Sequence, residues 1–326
     1  MKNKFFYYTG AIHIHSKFSD GTGDINEISK SAKDAGLDWI IITDHNSLDV
    51  TEGFYNGVCV IIGEEISPET SDHYLALGIN TVISPDLKPC EYIDNVRKQG
   101  GFGYCAHPDE SSFRKNKSKP IKWTNKTIVP DGVEIWNWFS DWADSYDETS
   151  IFSIAYSYLF KHNLIKGPHQ QTLEWWDELN KNSDKIIPAA GGVDAHALKI
   201  SKYIIPITVF PYKSCFKTIA NIIPLNYKMP ETFEEQKNII LNSLRCGKNI
   251  IINRYVKDEI PFIFVKDKRL YVKVSVKSMI KLIHNGILIS SEIGNSFKSD
   301  VLASGKYRVE IYLDGKPWIY SNPFII

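Results

Sequence analysis

The chain has 326 residues with 38 Lys+Arg balanced by 38 Asp+Glu, so it carries no global basic footprint for nucleic acid and no acidic tail. At 43% hydrophobic and 23% charged residues it has the composition of a globular protein, long enough for one large domain or a large and a small one. Its 5 cysteines (Cys59, Cys90, Cys105, Cys215, Cys246) are scattered without a CxxC, which argues against a disulfide framework and for free thiols in a reducing compartment.

From residue 5 to about 210, short apolar runs alternate with helical patterns. The N-terminus, "MKNKFFYYTGAIH", has no apolar segment of leader length, and no run of about 18 apolar residues follows. The expectation is a cytoplasmic protein without a membrane span. The runs are "FFYYTGAIH", "WIIITDH", "VCVIIGEEI", "YLALGI", "GFGYCAHP", "GVEIW" and "IIPAAGGVDAH". Between the first two, Asp24 and Glu27 form a capping box, Ile28, Ala32 and Ala35 form a face, and Gly36 is the stop. Further helices are expected over 86–99 and 172–182. Nearly continuous apolar strands alternating with helices imply parallel strands covered by helices, in an α/β barrel or a doubly wound sheet. "SPETSD" (67–72) is too short for a crossover, so "YLALGI" is expected antiparallel to its predecessor. After about residue 250 the pattern becomes period 2, in "RLYVKVSVKS" and "YRVEIYL", with hairpin signals at Asn285-Gly286 and Asp314-Gly315. The expected organisation is a barrel over 1–225, a connection over 226–254 and a small all-β, sandwich-like domain over 255–326. The connection carries a helix from Thr232 to Cys246, with Thr232 and Glu235 as its capping box.

The runs end alike. The first ends in His13 and His15, with Asp20 in the loop beyond. The second ends in His45, the third in Glu65, and His73 opens the returning segment opposite Glu65. The fifth ends in His107, the last in Asp194 and His196. Residues i and i+2 of a strand share a face, so each HxH or DxH pair converges. Parallel strands present their C-terminal ends at one mouth. Six of the 9 histidines occupy such ends, which scattered core histidines would not do. Nitrogen and oxygen ligands without thiolate suit two or three divalent ions such as Zn, Mn or Fe. Asp44 and Glu64 fall on the opposite face, Asp44 as a possible partner of a ligand.

The set "HIH…D", "TDH", "GEEI…H", "AHP" and "DAH" resembles the polymerase and histidinol phosphatase (PHP) superfamily over about residues 8 to 210. "GEEIS…HYLALGI" and "WIYSNPFII" are similar to its branch of carbaryl hydrolase-type metallohydrolases. The resemblance implies a distorted (β/α)7 barrel with a trinuclear metal site. By it, His13, His15, Glu65 and Asp194 hold one metal, Asp20, His45 and His196 a second, and Glu65, His73 and His107 the third. "GGVDAH" departs from the pattern, in which a serine often precedes the aspartate.

Clustered divalent ions lower the pKa of bound water and clamp the oxygens of a displacement, which suits phosphoester hydrolysis and assigns catalysis to Glu65 and Asp194 through the metals they hold. No side-chain nucleophile is needed. There is no GxSxG, and Cys105 reads as core. The loop from Ser111 to Pro130 carries Arg114, Lys115, Lys117, Lys119, Lys122 and Lys126 without an acid, so Arg114, Lys115 and Lys117 are expected to attract an anionic substrate. Glu134 and Asn137 in "GVEIWNWFSDW", and His169 in "GPHQQTLEWW", are expected at the same rim as substrate contacts. The favoured activity is hydrolysis of a small phosphorylated metabolite or nucleotide. The alternatives are hydrolysis of a carbamate or carboxyl ester, and a binding module whose β domain recognises a polymer or partner.

Overall fold

The structure is a computed structural model that describes residues 5–110, 121–143, 165–200, 207–300 and 302–326. Strands β1 (Phe6–Ile14), β2 (Trp39–His45), β3 (Val58–Ile66), β4 (Tyr74–Leu77), β5 (Phe102–Cys105), β6 (Val133–Asn137) and β7 (Ala189–Ala195) pair in chain order. β7 pairs back to β1 and closes a seven-stranded barrel. All neighbours are parallel except at β4, which runs antiparallel to both β3 and β5. The short "SPETSD" connection has turned the chain back, as its length requires.

The strands are buried along almost their whole length because both faces are covered. One face packs under helices: Ile28 and Ala32 of α1 (Ile25–Asp34), Tyr92, Ile93 and Val96 of α2 (Pro89–Lys98), Trp138 of α3 (Trp138–Ala143) and Trp176 of α4 (Gln170–Lys181) join Ile40, Ile42 and Val60 in one core. The other face fills the interior, where Ile12, Ile41, Ile61, Leu75 and Tyr104 meet Leu241 and Leu244 of α5 (Phe233–Arg245). The Tyr104 hydroxyl donates to the Leu244 carbonyl at 2.9 Å, so α5 stops the barrel at the end away from the histidines. In α1 the capping box forms as the sequence predicts, Asp24 accepting from the Asn26 and Glu27 amides. In α5 it does not. Thr232 occupies the cap position, but its hydroxyl donates to the Glu235 carboxylate instead of accepting from the helix backbone.

Beyond the barrel, β8 (Ile219–Leu225) lies antiparallel to the first half of β1. β9 (Ile250–Asn253) pairs with β8, and the sheet then runs on into the C-terminal strands. These are β10 (Phe262–Lys266), β11 (Arg269–His284), β12 (Ile287–Lys298), β13 (Lys306–Leu313), β14 (Lys316–Ser321) and β15 (Phe324–Ile325). All pair antiparallel around a core of Leu270, Val272, Ile280, Val309, Trp318 and Ile319. The hairpins turn at Asn285-Gly286 (φ 47° and 81°) and Asp314-Gly315 (φ 51° and 77°), left-handed at both positions as a two-residue turn with native twist demands. Because β14 pairs with β9, the small β region is joined to the barrel by backbone hydrogen bonds and not only by a connecting chain.

Candidate metal centre

The residues singled out at the run ends come together at one end of the barrel. Glu65 is the hub. Its Oε2 lies 3.2 Å from His13 Nε2, 3.3 Å from His15 Nε2 and 3.1 Å from His45 Nδ1, and its Oε1 lies 2.8 Å from His73 Nδ1 and 3.2 Å from His107 Nε2. Asp194 Oδ1 is 3.2 Å from His15 Nε2 and 3.5 Å from both His13 Nε2 and His196 Nδ1. Asp20 reaches in from the loop after β1, 3.2 Å from His196 Nε2, 3.6 Å from His45 Nε2 and 3.7 Å from His15 Nδ1.

The histidine pair does not converge by simple strand alternation. Ile12 belongs to the interior core and Ile14 to the outer one, so the alternation breaks between them. His13 is the break. It is left-handed (φ 64°), and the register of β1 on β7 slips there. Across the slip Asp194 is left-handed too (φ 49°), and His107 has φ 28°. Such conformations cost about 1–3 kcal/mol each and cluster at functional sites. They turn these residues inward at strand ends, where a regular pleat would aim some of them outward.

The hydrogen bonds on the far side of the rings fix the tautomers. His73 Nε2 lies 3.1 Å from the Pro68 carbonyl, His107 Nδ1 lies 3.1 Å from the Ile121 carbonyl, and His196 Nδ1 lies 3.0 Å from the Asp194 carbonyl. A carbonyl only accepts, so each of those nitrogens carries the proton. His13 Nδ1 is held likewise by the Glu134 carboxylate at 2.8 Å. In the neutral tautomer the other nitrogen then points a lone pair at an anionic oxygen. Two acceptors face each other unless the ring takes a second proton or a cation lies between them. Outer hydrogen bonds of this kind are the usual support of metal-bound histidine. His15 adds a second sign: buried between Glu65 and Asp194, neither of its ring nitrogens makes a hydrogen bond among the described residues. A buried orphaned imidazole is costly unless a bound ion or water completes it.

The electrostatics agree. Burial alone would strip the proton from His13, but the Asp194, Glu134 and Glu65 charges hold its pKa well above the usual imidazole range. Against the same burial penalty, Glu65 and Asp20 lift His45 to about 10, and Glu65 with Glu110 lifts His107 to about 9. His15 goes the other way, to about 4, through burial and the neighbouring His196 and His45 charges. Although burial opposes it, Glu65 is held well below the carboxylate range by His45, His13 and His107, and Asp194 and Asp20 are lowered by their own histidines. Without ions the cluster gathers protons as counter-charge. Four groups of donor atoms lie close enough to share an ion: His15, Asp20, His45 and His196; His13, His15 and Glu65; His13, His107 and Asp194; Glu65, His73 and His107. Donors of this kind, all nitrogen and oxygen, fit divalent ions of borderline hardness.

The remaining predicted residues fall differently. Glu134, Asn137 and His169 line a small cleft beside His107, shared with Glu110, Ser140 and Thr172. Glu134 is buried beneath His13. Asn137 donates to Glu134 at 3.1 Å and to Asp194 at 3.4 Å, and its side-chain Oδ1 accepts from the Ser140 amide. His169 precedes the first turn of α4. Arg114, Lys115, Lys117 and Lys119 lie outside the described residues. Lys126 of that loop is engaged elsewhere, on Asp109 at 3.3 Å and over the Trp175 ring. Cys105 is buried in the core. Asp44 turns away from the cluster and accepts from the Ser16 amide, the Ser16 hydroxyl and the Ser19 hydroxyl, tying down the loop that carries Asp20. Glu64, on the outer face, accepts from the Ile83 amide.

Two contacts escaped the sequence reading. Ser67 Oγ sits 2.6 Å from His45 Nδ1. Tyr212 donates to the His15 carbonyl at 2.7 Å while accepting from the Thr22 and Gly23 amides, which closes the Asp20 loop from far along the chain. Neither has a local signature, since the partners are brought together only by the barrel.

The sequence pattern of the PHP domain matches residues 11–227, which include every residue of the cluster. The chain belongs to the PHP domain family. A relative from Methanocaldococcus jannaschii, itself an uncharacterised protein, is 32% identical over 144 residues, covering 39% of this chain and 80% of its own. Among solved structures the PHP chain is similar to a two-domain protein of Bacteroides vulgatus containing a predicted PHP-like metal-dependent phosphoesterase. That match has TM-score 0.49 and 14% identity, over 99% of this chain and 95% of the other. It is also similar to PsfC of Pseudomonas syringae, with TM-score 0.41 and 12% identity over 73% and 98%.

Proposed function

We propose that this PHP protein is a metal-dependent phosphoesterase acting on a small anionic substrate, with two or three divalent ions (Zn, Mn or Fe) at the barrel mouth. The observation that carries the reading is the set of imidazole lone pairs aimed at the Glu65, Asp194 and Asp20 carboxylates. His13, His15, Glu65 and Asp194 would hold one ion, Asp20, His45 and His196 a second, and Glu65, His73 and His107 a third, with Glu65 shared. Ions there would supply Lewis acidity toward a phosphoryl oxygen and lower the pKa of a bound water. The chain's own residues do the rest. The Pro68, Ile121 and Asp194 carbonyls fix ring orientation. Asp44 and Tyr212 fix the loop of Asp20. Glu65 and Asp194 keep a negative charge that only cations neutralise. Arg114, Lys115 and Lys117 attract the anion.

The test is hydrolysis of p-nitrophenyl phosphate, its bis-ester and p-nitrophenyl acetate with Mn, Zn or Fe supplied. Turnover of a phosphate ester, abolished by chelation and restored by metal, is the expected result. Turnover of the acetate alone would move the protein to the ester and carbamate chemistry of the carbaryl hydrolase branch. Metal binding without turnover of any of the three would favour a binding role.

A further inference from the structure

We infer that Glu134 is a positioning residue that sets the tautomer of His13 and fixes His107 at the same time, and that Gly192 exists to make room for it. The inference rests on the metal reading above, but its first readout does not. Glu134 is buried, and among the described residues no Lys or Arg pairs with it. Its Oε1 accepts from His13 Nδ1 at 2.8 Å, and its Oε2 accepts from the His107 backbone amide at 2.7 Å and from Asn137 Nδ2 at 3.1 Å. One carboxylate on β6 thus joins the ring at the end of β1 to the backbone just past β5. Both of those residues are left-handed, at φ 64° and φ 28°, so neither position is held by a regular strand ladder. The proton that Glu134 draws to Nδ1 leaves His13 Nε2 as the lone pair, and that atom faces Glu65 at 3.2 Å and Asp194 at 3.5 Å. Glu134 therefore acts on the cluster through His13 and touches no reacting atom itself.

The cradle is steric. A Cβ added at Gly192 would lie 1.7 Å from Glu134 Oε1 and 3.0 Å from His13 Cβ. The second glycine of "GGVDAH" is thereby the space in which the carboxylate sits, two residues before Asp194 and paired with Ile12 of β1. A carboxylate is needed because it accepts on both oxygens. An amide of the same shape has one accepting oxygen. With that oxygen on the His107 amide, its NH2 faces His13 Nδ1, and a neutral ring must then move its proton to Nε2 and withdraw the lone pair. Turned the other way, the NH2 meets the His107 N–H.

The experiment uses the full chain, uniformly ¹⁵N-labelled at histidine, with long-range ¹H–¹⁵N spectra recorded on the metal-free and Zn-loaded protein. Wild type should carry a hydrogen-bonded proton on His13 Nδ1 in both states, since the neutral and the doubly protonated ring alike keep it. No proton there in either state overturns the inference, whatever the metal content. Glu134→Gln should shift the His13 proton to Nε2 in protein whose circular dichroism is unchanged, and weaken Zn and Mn affinity by about 10- to 100-fold, the cost typical of losing such an outer partner. Gly192→Ala, which leaves the carboxylate in the chain but takes its place, should weaken affinity as much. Glu134→Gln with wild-type affinity and an unmoved His13 proton overturns the inference, and so does a freely tolerated Gly192→Ala. If Glu134→Gln does not fold, the wild-type spectrum decides alone. Should wild type bind neither Zn nor Mn, the metal reading fails while the Nδ1 proton still tests the positioning.

Discussion

His73 and Glu65 meet across the β3–β4 turn at 2.8 Å, while the other nitrogen of the His73 ring is already committed to the Pro68 carbonyl. One side of the imidazole thus donates, and the side facing Glu65 is free to be a ligand.

Removing the charge of the hub while keeping its shape separates chemistry from folding. Glu65→Gln and Asp194→Asn should each bring turnover to background and lower the bound-metal count, with unchanged far-UV circular dichroism. Near-normal activity in both variants, measured under saturating metal, would mean the centre lies elsewhere.

The metal-free protein should lose stability as pH rises above neutrality. A histidine whose folded pKa is raised contributes stability that is complete below its unfolded pKa of 6.5 and is lost as pH rises through the folded value. With His45 at about 10 and His107 at about 9, the loss falls between pH 6.5 and 10. His107 alone is worth about 3 kcal/mol at 1.36 kcal/mol per unit. His15, held near 4, is neutral in the folded state throughout this window, so its small opposing slope is confined to the lower edge, where the unfolded imidazole still loses its proton. Urea unfolding in chelator at pH 6.5 and 9 measures the loss. Divalent ions bound there would take the place of those protons, so apparent metal affinity should climb over the same interval. A metal-free protein equally stable at both pH values would contradict this electrostatic picture.

The basic loop distinguishes a phosphate substrate from a neutral ester. Replacing Arg114, Lys115 and Lys117 by serine should raise KM for a phosphate monoester several-fold with little change in kcat, because such attraction is felt alike in ground and transition states. The wild-type KM should also rise with salt, screened over a Debye length of about 8 Å at physiological ionic strength. Equal effects on p-nitrophenyl acetate would reduce the loop to a solvated surface.

The C-terminal strands should not come away as a free unit. Arg254, just past β9, donates to the Phe216 and Ala35 carbonyls and pairs with Asp258, and the buried Arg308 of β13 grips Asp177 of α4 through two bonds of 2.7 Å. Limited proteolysis should leave residues 248–258 uncut. Rapid cleavage there, releasing a fully active barrel, would show that these contacts are dispensable.

Much of this was legible in the sequence because strand ends announce themselves. "TDH" and "GEEI" keep strict alternation, so Ile41 and Ile61 point inward, His45 and Glu65 follow in phase, and Asp44 and Glu64 turn out. Closure into a barrel rested on the family resemblance, since the alternating pattern fits an open sheet equally well. The geometry of His13 was not legible. A left-handed residue in "AIHIH" has no local signal, and the slip that produces it depends on β7, far along the chain. For the same reason Glu134 read as a rim residue. Its burial under His13 follows from the neighbouring Gly192, whose spacing on another strand only the folded sheet reveals. The continuous sheet from β1 through β8, β9 and β14 was equally hidden, because period-2 patterns give strands but not their neighbours.

The most direct test of the account is the metal content of the chain. Elemental analysis of protein purified without chelator, then reconstituted with Mn, Zn or Fe and freed of excess ion, should find two to three divalent ions per chain, with release of protons on binding. A content below about one equivalent after reconstitution, in protein that retains its fold, would contradict the reading of the lone pairs around Glu65 as a metal centre.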